Sequence, residues 1–208
     1  SFVMAATCID HPLVADFLGR LRESKTGQAE YRSLCDRISL ALAIEASRIL
    51  PKVPVEVETP MERTEVERMD AQVVVVPILR AGLGMLSSFL QLFPEASVGY
   101  IGVERDAATA QASEYYCKLP KLQGSYTFVI DPMLATGGSA CRALEVLSDR
   151  GAEHLILVSI LAAPEGVREV ESRYPGVPII AASIDRELDA SRYIRPGLGD
   201  FGDRLFGT

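Results

Sequence analysis

A chain of 208 residues with 48% apolar and 24% charged side chains has the make-up of a folded domain able to bury its own core. Its formal net charge of −7 argues against a broad nucleic-acid-binding face, while leaving room for a few arginines to focus on a small anion. No apolar run reaches membrane-span length, residues 1–10 lack the basic flank and cleavage pattern of a signal peptide, and four scattered cysteines without a CxxC pair point to reduced thiols in the cytoplasm.

His11-Pro12 opens a predicted helix with Leu13, Phe17, Leu18 and Leu21 on one side. A second helix is predicted from Gln28 to Leu50, with Leu34, Ile38, Leu42 and Ile49 near helical spacing. The period then changes to two at Val53, Val55 and Val57. It breaks at Thr59-Pro60 and returns at Thr64-Glu65-Val66, which predicts a β-hairpin on the margin of the fold. Val73-Val74-Val75-Val76 is a continuous β-branched run, as expected of a parallel strand buried on both faces. Further strands are predicted at 98–103, 126–130, 155–161 and 178–182. A helix with Ala140, Ala143, Leu144 and Leu147 on one stripe begins after Gly138 and stops at Gly151. Pro164 opens another, which ends before Pro175.

This alternation predicts an α/β fold: a mostly parallel central sheet flanked by helices, in one domain over 1–208. Ligands in such folds bind at the carboxyl ends of the strands. Two stretches are left outside the sheet. Arg105 to Lys121, rich in Ala, Gln and Ser, reads as a lid or arm. Ser183 to Thr208, glycine-rich and without a period, reads as an ordered covering loop.

Three segments carry chemistry. The first runs from Val129-Ile130 through Asp131, Pro132, Met133, Leu134, Ala135, Thr136, Gly137, Gly138 and Ser139. An apolar strand ends in a carboxylate, and small residues lead into a helix whose free N–H groups suit a phosphate. A carboxylate repels phosphate, so Asp131 fits the hydroxyls of a sugar beside it. Together they suggest a ribose 5-phosphate. No lysine follows the glycines, so this is not a nucleoside-triphosphate loop.

The second segment is Pro77-Ile78-Leu79-Arg80-Ala81-Gly82-Leu83-Gly84, where Arg80 offers a fork for phosphate oxygens. A competing reading takes Gly82, Gly84 and Ser87 as a degenerate dinucleotide fingerprint with Glu104 as its ribose-binding acid. The third is Tyr193-Ile194-Arg195-Pro196-Gly197-Leu198-Gly199-Asp200-Phe201-Gly202-Asp203, whose dense glycines expose main-chain groups able to match a pyrimidine edge, or which form a plain surface tail. His11 and His154 stand apart with no metal-ligand pattern.

On these residues the chain resembles the uracil branch of the type I phosphoribosyltransferases. The likeness also draws on Ala162-Ala163-Pro164-Glu165-Gly166, Ala182-Ser183-Ile184-Asp185 and Phe206-Gly207-Thr208, and runs from His11 to the end. The Asp131-Pro132 pair, where many relatives carry two acids, points to the uracil branch. The resemblance implies that Asp131 binds the ribose of phosphoribosyl pyrophosphate and that Met133 to Ser139 hold its 5-phosphate. It implies that Arg80 and Arg105 contact the pyrophosphate and that Ile194 with Gly199 to Phe201 reads uracil. Asp200 lies between base and sugar-phosphate. In this scheme Arg80, Arg105, Asp131 and Asp200 are the catalytic candidates. Magnesium arrives on the pyrophosphate rather than in a protein cage, and a C-terminal glycine-rich hood covers the base.

The family also implies a homodimer or larger homo-oligomer, with the N-terminal helices or the hairpin as contacts. Phe201, where many relatives have alanine, is expected to change the pocket wall. Arg186-Glu187 and the segment Ala107 to Ser113 are atypical as well. Other classes stay open at this point: a nucleotide-sensing, RNA-binding pyrimidine regulator, an NAD-dependent oxidoreductase, or an inactive relative.

Overall fold

The computed structural model describes residues 6–106, 108–109 and 111–208. A short strand β1 (Thr7–Cys8), not predicted, precedes the helix α1 (Pro12–Arg22). His11 caps α1 by accepting the Leu13 N–H at Nδ1, at 3.1 Å, and Pro12 stands in the first turn, where it has no hydrogen bond to lose. The buried stripe is Val14, Leu18 and Leu21, with Phe17 packed alongside. Leu13, expected on that stripe, is 58% exposed, because a residue one step off the i, i+3, i+4, i+7 row turns about 100° away.

Helix α2 (Gln28–Ala46) buries Leu34, Ile38 and Leu42. It stops short of the predicted Leu50 in a 3-10 turn over Ser47–Ile49, which leaves Ile49 exposed. The predicted hairpin is present as β2 (Lys52–Glu58) and β3 (Arg63–Met69), a two-stranded antiparallel sheet of its own.

The remaining elements build the main sheet and its cover. They are β4 (Gln72–Leu79), α3 (Leu83–Leu92), β5 (Ser97–Val98), β6 (Tyr100–Arg105), β7 (Ala112–Lys118), β8 (Ser125–Ile130), β9 (Met133–Leu134), α4 (Gly138–Asp149), β10 (His154–Ala162), α5 (Pro164–Arg173) and β11 (Ile179–Ile184). The strand order is β1-β11-β10-β8-β4-β6-β7, with β5 beside β4 and β9 beside β10. Every pairing in this sheet is parallel except β6 with β7.

The valine run shows why β4 is central. Val73 and Val75 pack into the core shared with α1, α2 and α3, while Val74 and Val76 pack into the core shared with α4 and α5. Alternate residues of a pleated strand face opposite sides, so an unbroken apolar run requires cover on both.

Two expectations are corrected. The stretch 105–121 is not outside the sheet: residues 112–118 form β7, an antiparallel edge strand whose main chain is satisfied by β6. Its sequence is polar because only one edge and one face have neighbours. Ala107 and Ala110, in the predicted lid Ala107 to Ser113, lie outside the described residues. The tail is not a plain covering loop either. It contains β12 (Glu187–Leu188) paired with β13 (Ile194–Arg195), then α6 (Phe201–Phe206). Elements this short show no period. Among the described residues, no helix is long and apolar enough to cross a membrane.

Candidate active site

Strands β8, β4 and β6 lie side by side and run the same way. Pro77 stands opposite Ile130, Ile78 opposite Ile101 and Leu79 opposite Gly102. Arg80 and Asp131 follow the ends of β4 and β8, and Arg105 closes β6, so all three leave the carboxyl edge of adjacent strands.

The loop after β8 is fastened to β10. The Asp131 N–H donates to the Val158 carbonyl at 3.1 Å, the Pro132 carbonyl accepts from Ile160 and Leu161, and the buried Leu134 accepts from the Ala163 N–H at 2.8 Å. Thr136 Oγ1 then accepts the Gly138 N–H at 3.3 Å. Gly137 takes the left-handed φ of 88° and starts α4 with no side-chain cap. The first-turn N–H groups of Ser139 and Ala140 are therefore offered to an anion, with the helix dipole behind them. From β6, Arg105 donates through Nη2 to Thr136 Oγ1, which brings the guanidinium to the rim of this cradle.

The electrostatics follow from this packing. Burial pushes the Asp131 carboxyl up to about 7, against the weaker pull of the Met133 N–H and the Arg105 charge. Partial burial and then the neighbouring Arg192 guanidinium lower Arg105, while Asp131 acts the other way. Arg80 is exposed in the turn after β4.

The glycines beside Arg80 serve packing. A Cβ on Gly82 would fall 2.6 Å from the Ile130 carbonyl oxygen, and one on Gly84 would fall 2.5 Å from the Leu205 side chain. Glu104 stands exposed in β6, opposite Ser113. These glycines pack against protein, and the acid pairs along an edge strand, so the dinucleotide fingerprint has no structural counterpart.

A cavity of 230 Å³ lies between the cradle loop and the tail. Met133 and Ala135 form one wall, and Ile194, Gly199 and Asp200 form the other. Leu134, between the two loop residues, is buried instead. Phe201 also borders the cavity but is only 2% exposed, and its ring packs 5.4 Å from that of Tyr31. Its ring is thus largely taken up in packing, while the residue still borders the cavity. Asp200 Oδ1 accepts the Asp203 N–H at 2.9 Å as the cap of α6, which leaves Oδ2 for other partners. Gly197 has φ of 60°, and a Cβ there would fall 2.0 Å from the Ile194 carbonyl oxygen, so only glycine closes this turn.

Sequence reasoning missed Arg192 and Ala81, which also border the cavity, and assigned no role to Tyr193 or Gly202. It quoted Ser183 and Asp185 without a role. Asp185 holds Gly197, a contact within the tail that no local period reveals.

Comparison with known proteins bears on the fold and the family. A hypoxanthine-guanine phosphoribosyltransferase from Bacillus anthracis shares the fold, with a TM-score of 0.50 at 10% identity over 79% of this chain and 89% of its own. A solved structure of a protein from Aquifex aeolicus matches with a TM-score of 0.91 at 34% identity, over 98% of each chain. The architecture is thus that of the phosphoribosyltransferases.

Sequence relatives narrow the class. A uracil phosphoribosyltransferase from Thermosipho africanus is 50% identical over 99% of this chain and 100% of its own. One from a Thermoanaerobacter species is 48% identical over 96% of each. The family model for uracil phosphoribosyltransferase matches residues 8–208, and the chain belongs to that family. Neither a regulator nor an oxidoreductase is supported.

Proposed function

We propose that this chain, as one domain over 1–208, transfers the 5-phosphoribosyl group of phosphoribosyl pyrophosphate to N1 of uracil, giving UMP and pyrophosphate. The observation that carries this reading is the shared wall. Met133 and Ala135 belong to the Asp131 loop and also border the cavity of Ile194, Gly199 and Asp200. A pocket for a flat ring abutting a sugar-phosphate loop suits the joining of a base to a sugar.

In the reaction the C1–O bond to pyrophosphate breaks, and its electron pair leaves on the diphosphate. The N1–C1 bond forms, and the N1 proton passes to solvent. The cradle from Thr136 to Ser139 fixes the 5-phosphate. Asp131 holds the ribose hydroxyls and steadies the positive charge that develops on the ring. Arg80 and Arg105 stabilise the charge growing on the diphosphate by preorganised electrostatics. Asp200 Oδ2 orients the base relative to the sugar.

Main-chain groups of Ile194 and Gly199–Phe201 read uracil N3–H and O4. Cytosine reverses that donor and acceptor, and each buried group left unpaired costs ~1–3 kcal/mol.

Magnesium fits this site as a companion of the substrate. Among the described residues, no group of three or more His, Cys, Asp or Glu side chains is placed to hold a metal ion. Asp131, a desolvated carboxylate, would favour a nearby cation such as a magnesium ion carried in by the diphosphate. When bound, the ion neutralises charge on the leaving group. A cytoplasmic homo-oligomer is the family expectation and agrees with this metabolic role.

The test is a product assay with radiolabelled uracil, phosphoribosyl pyrophosphate and magnesium, with cytosine, hypoxanthine and orotate as competing acceptors. Labelled UMP from uracil alone is expected. Transfer to another base in preference to uracil, or no transfer, overturns the reading.

A further inference from the structure

Arg192 has a backbone conformation that asks for glycine. Its φ of 67° is the only positive value at a non-glycine position among the described residues. A glycine would adopt this conformation without strain, so an arginine here marks a place kept for its side chain. The turn that imposes it is built by Asp189. Asp189 Oδ1 accepts the N–H groups of Ser191 at 2.9 Å and Tyr193 at 3.0 Å, and its carbonyl accepts the Arg192 N–H at 2.9 Å. The Asp189 charge itself is engaged by Arg195, at 2.8 Å from Nε and 2.7 Å from Nη2. Asp189 therefore fixes the Arg192 main chain and neutralises a different arginine.

The Arg192 guanidinium has no ion pair or hydrogen bond among the described residues. The residue borders two spaces at once. One is the base cavity beside Ile194 and Asp200. The other is a cavity of 490 Å³ that Arg192 shares with Arg105, Ser191, Thr109 and Asp106. Asp106 Oδ1 accepts the N–H groups of Ala108 and Thr109, both at 2.8 Å, so this carboxylate organises the turn beyond β6. Two guanidinium groups thus border one cavity, and they stand close enough that Arg192 helps to hold Arg105 below its ordinary range. Two guanidinium groups against a single carboxylate, Asp106, whose Oδ1 is already taken up by main-chain N–H groups, leave this cavity a net positive lining suited to a multiply charged anion.

We propose that Arg192 is a further diphosphate-binding cation, reaching from the hood to the leaving group opposite Arg105. This rests on the phosphoribosyl-transfer reading above. It gives the hood two tasks: its main chain reads the base, and its arginine grips the group that departs as the base attacks.

Arg192→Gly is the informative variant, since glycine prefers this φ and the fold should keep its thermal stability or gain slightly. Calorimetry with magnesium pyrophosphate should show Kd raised at least about tenfold in Arg192→Gly, with Arg192→Lys in between, while the KM for uracil stays within about threefold. An unchanged pyrophosphate Kd in Arg192→Gly overturns the proposal. So does a defect confined to the uracil KM. If the wild-type protein neither binds magnesium pyrophosphate nor forms UMP, the transfer reading itself falls. Failure of the Arg192 proposal alone leaves the wild type fully active, so the two outcomes are distinct.

Discussion

Arg22 of α1 and Asp185, the residue after β11, form a two-pronged ion pair with both N···O distances at 2.7 Å. The pair encloses Gly197: Asp185 Oδ2 accepts its N–H at 3.0 Å, and Arg22 Nη1 donates to its carbonyl at 3.0 Å. The N-terminal helix thereby sets the turn that leads into Gly199 and Asp200 at the cavity wall. Burial acts to raise the Asp185 carboxyl, but Arg22, Ser183 and the Gly197 N–H outweigh it and hold it below the usual carboxylate range.

Asp185→Asn should therefore weaken uracil binding specifically. We expect its KM for uracil to rise about tenfold, equivalent to about 1.4 kcal/mol, with little change for phosphoribosyl pyrophosphate. Steady-state kinetics with each substrate varied in turn checks this, and equal losses for both would count against a role in the hood. Stability should fall by about 3 kcal/mol, because Arg22 loses its counter-charge. A depressed carboxyl contributes stability above its unfolded pKa of about 3.9, and that contribution disappears as the pH drops through the lower folded value. The gap between wild type and variant should thus be full at neutral pH and close in acid.

Arg80 stands exposed in the turn after β4, where its removal leaves the core untouched. Arg80→Ala should cut turnover by roughly a hundredfold with an unaltered melting temperature, as expected when a preorganised charge is removed from a transition state. Near-wild-type turnover would take Arg80 out of the mechanism.

Gly166 of α5 supports the cradle without being placed in it. A Cβ there would fall 2.5 Å from the Ala135 carbonyl oxygen and 3.0 Å from that of Leu134. Gly166→Ala should push the loop outward and weaken phosphoribosyl pyrophosphate binding by about tenfold, since anion cradles depend on aligned N–H groups. Gly137→Val should abolish binding, because its φ of 88° is strained for valine and its Cβ position is 3.0 Å from the Gly166 carbonyl oxygen. Calorimetry with phosphoribosyl pyrophosphate distinguishes these grades, and unchanged affinity in both variants would place the cradle elsewhere.

Asp131 supplies a pH signature. Its carboxyl, raised by burial to about 7, is only partly ionised at neutral pH before ligand binds. The kcat/KM for phosphoribosyl pyrophosphate should rise with pH through about 7 and then level, since this ratio reports the free enzyme. Asp131→Asn should lose both activity and that ascending limb. The stability sign is opposite to that of Asp185. A raised folded pKa contributes stability below the unfolded value of about 3.9 and loses it as the pH climbs through about 7. Asp131→Asn should therefore melt higher than wild type at pH 8 and match it in strong acid. A variant less stable than wild type at pH 8 would contradict the desolvation argument.

Much of this protein is legible along the chain because its elements obey local periods. The valine run of β4, the stripe of α4 and the proline that opens α5 follow directly from pleat and helix geometry. So does the cradle, since a strand, a carboxylate, small residues and a helix start are consecutive. Less was legible where neighbours, not periods, decide. Leu13 and Ile49 are apolar yet exposed, and β7 is a strand because β6 offers it an open edge.

The Asp131 loop and the glycine-rich tail each stand out along the chain, because their residues are consecutive within single short segments. That they share one cavity depends on Met133 and Ala135 meeting Ile194 and Asp200 across about sixty positions of chain. Folding also joined Arg22 to Asp185 and placed Arg192 beside Arg105. Contacts at such separation are made by the crossing of whole elements, and no local spacing rule encodes them.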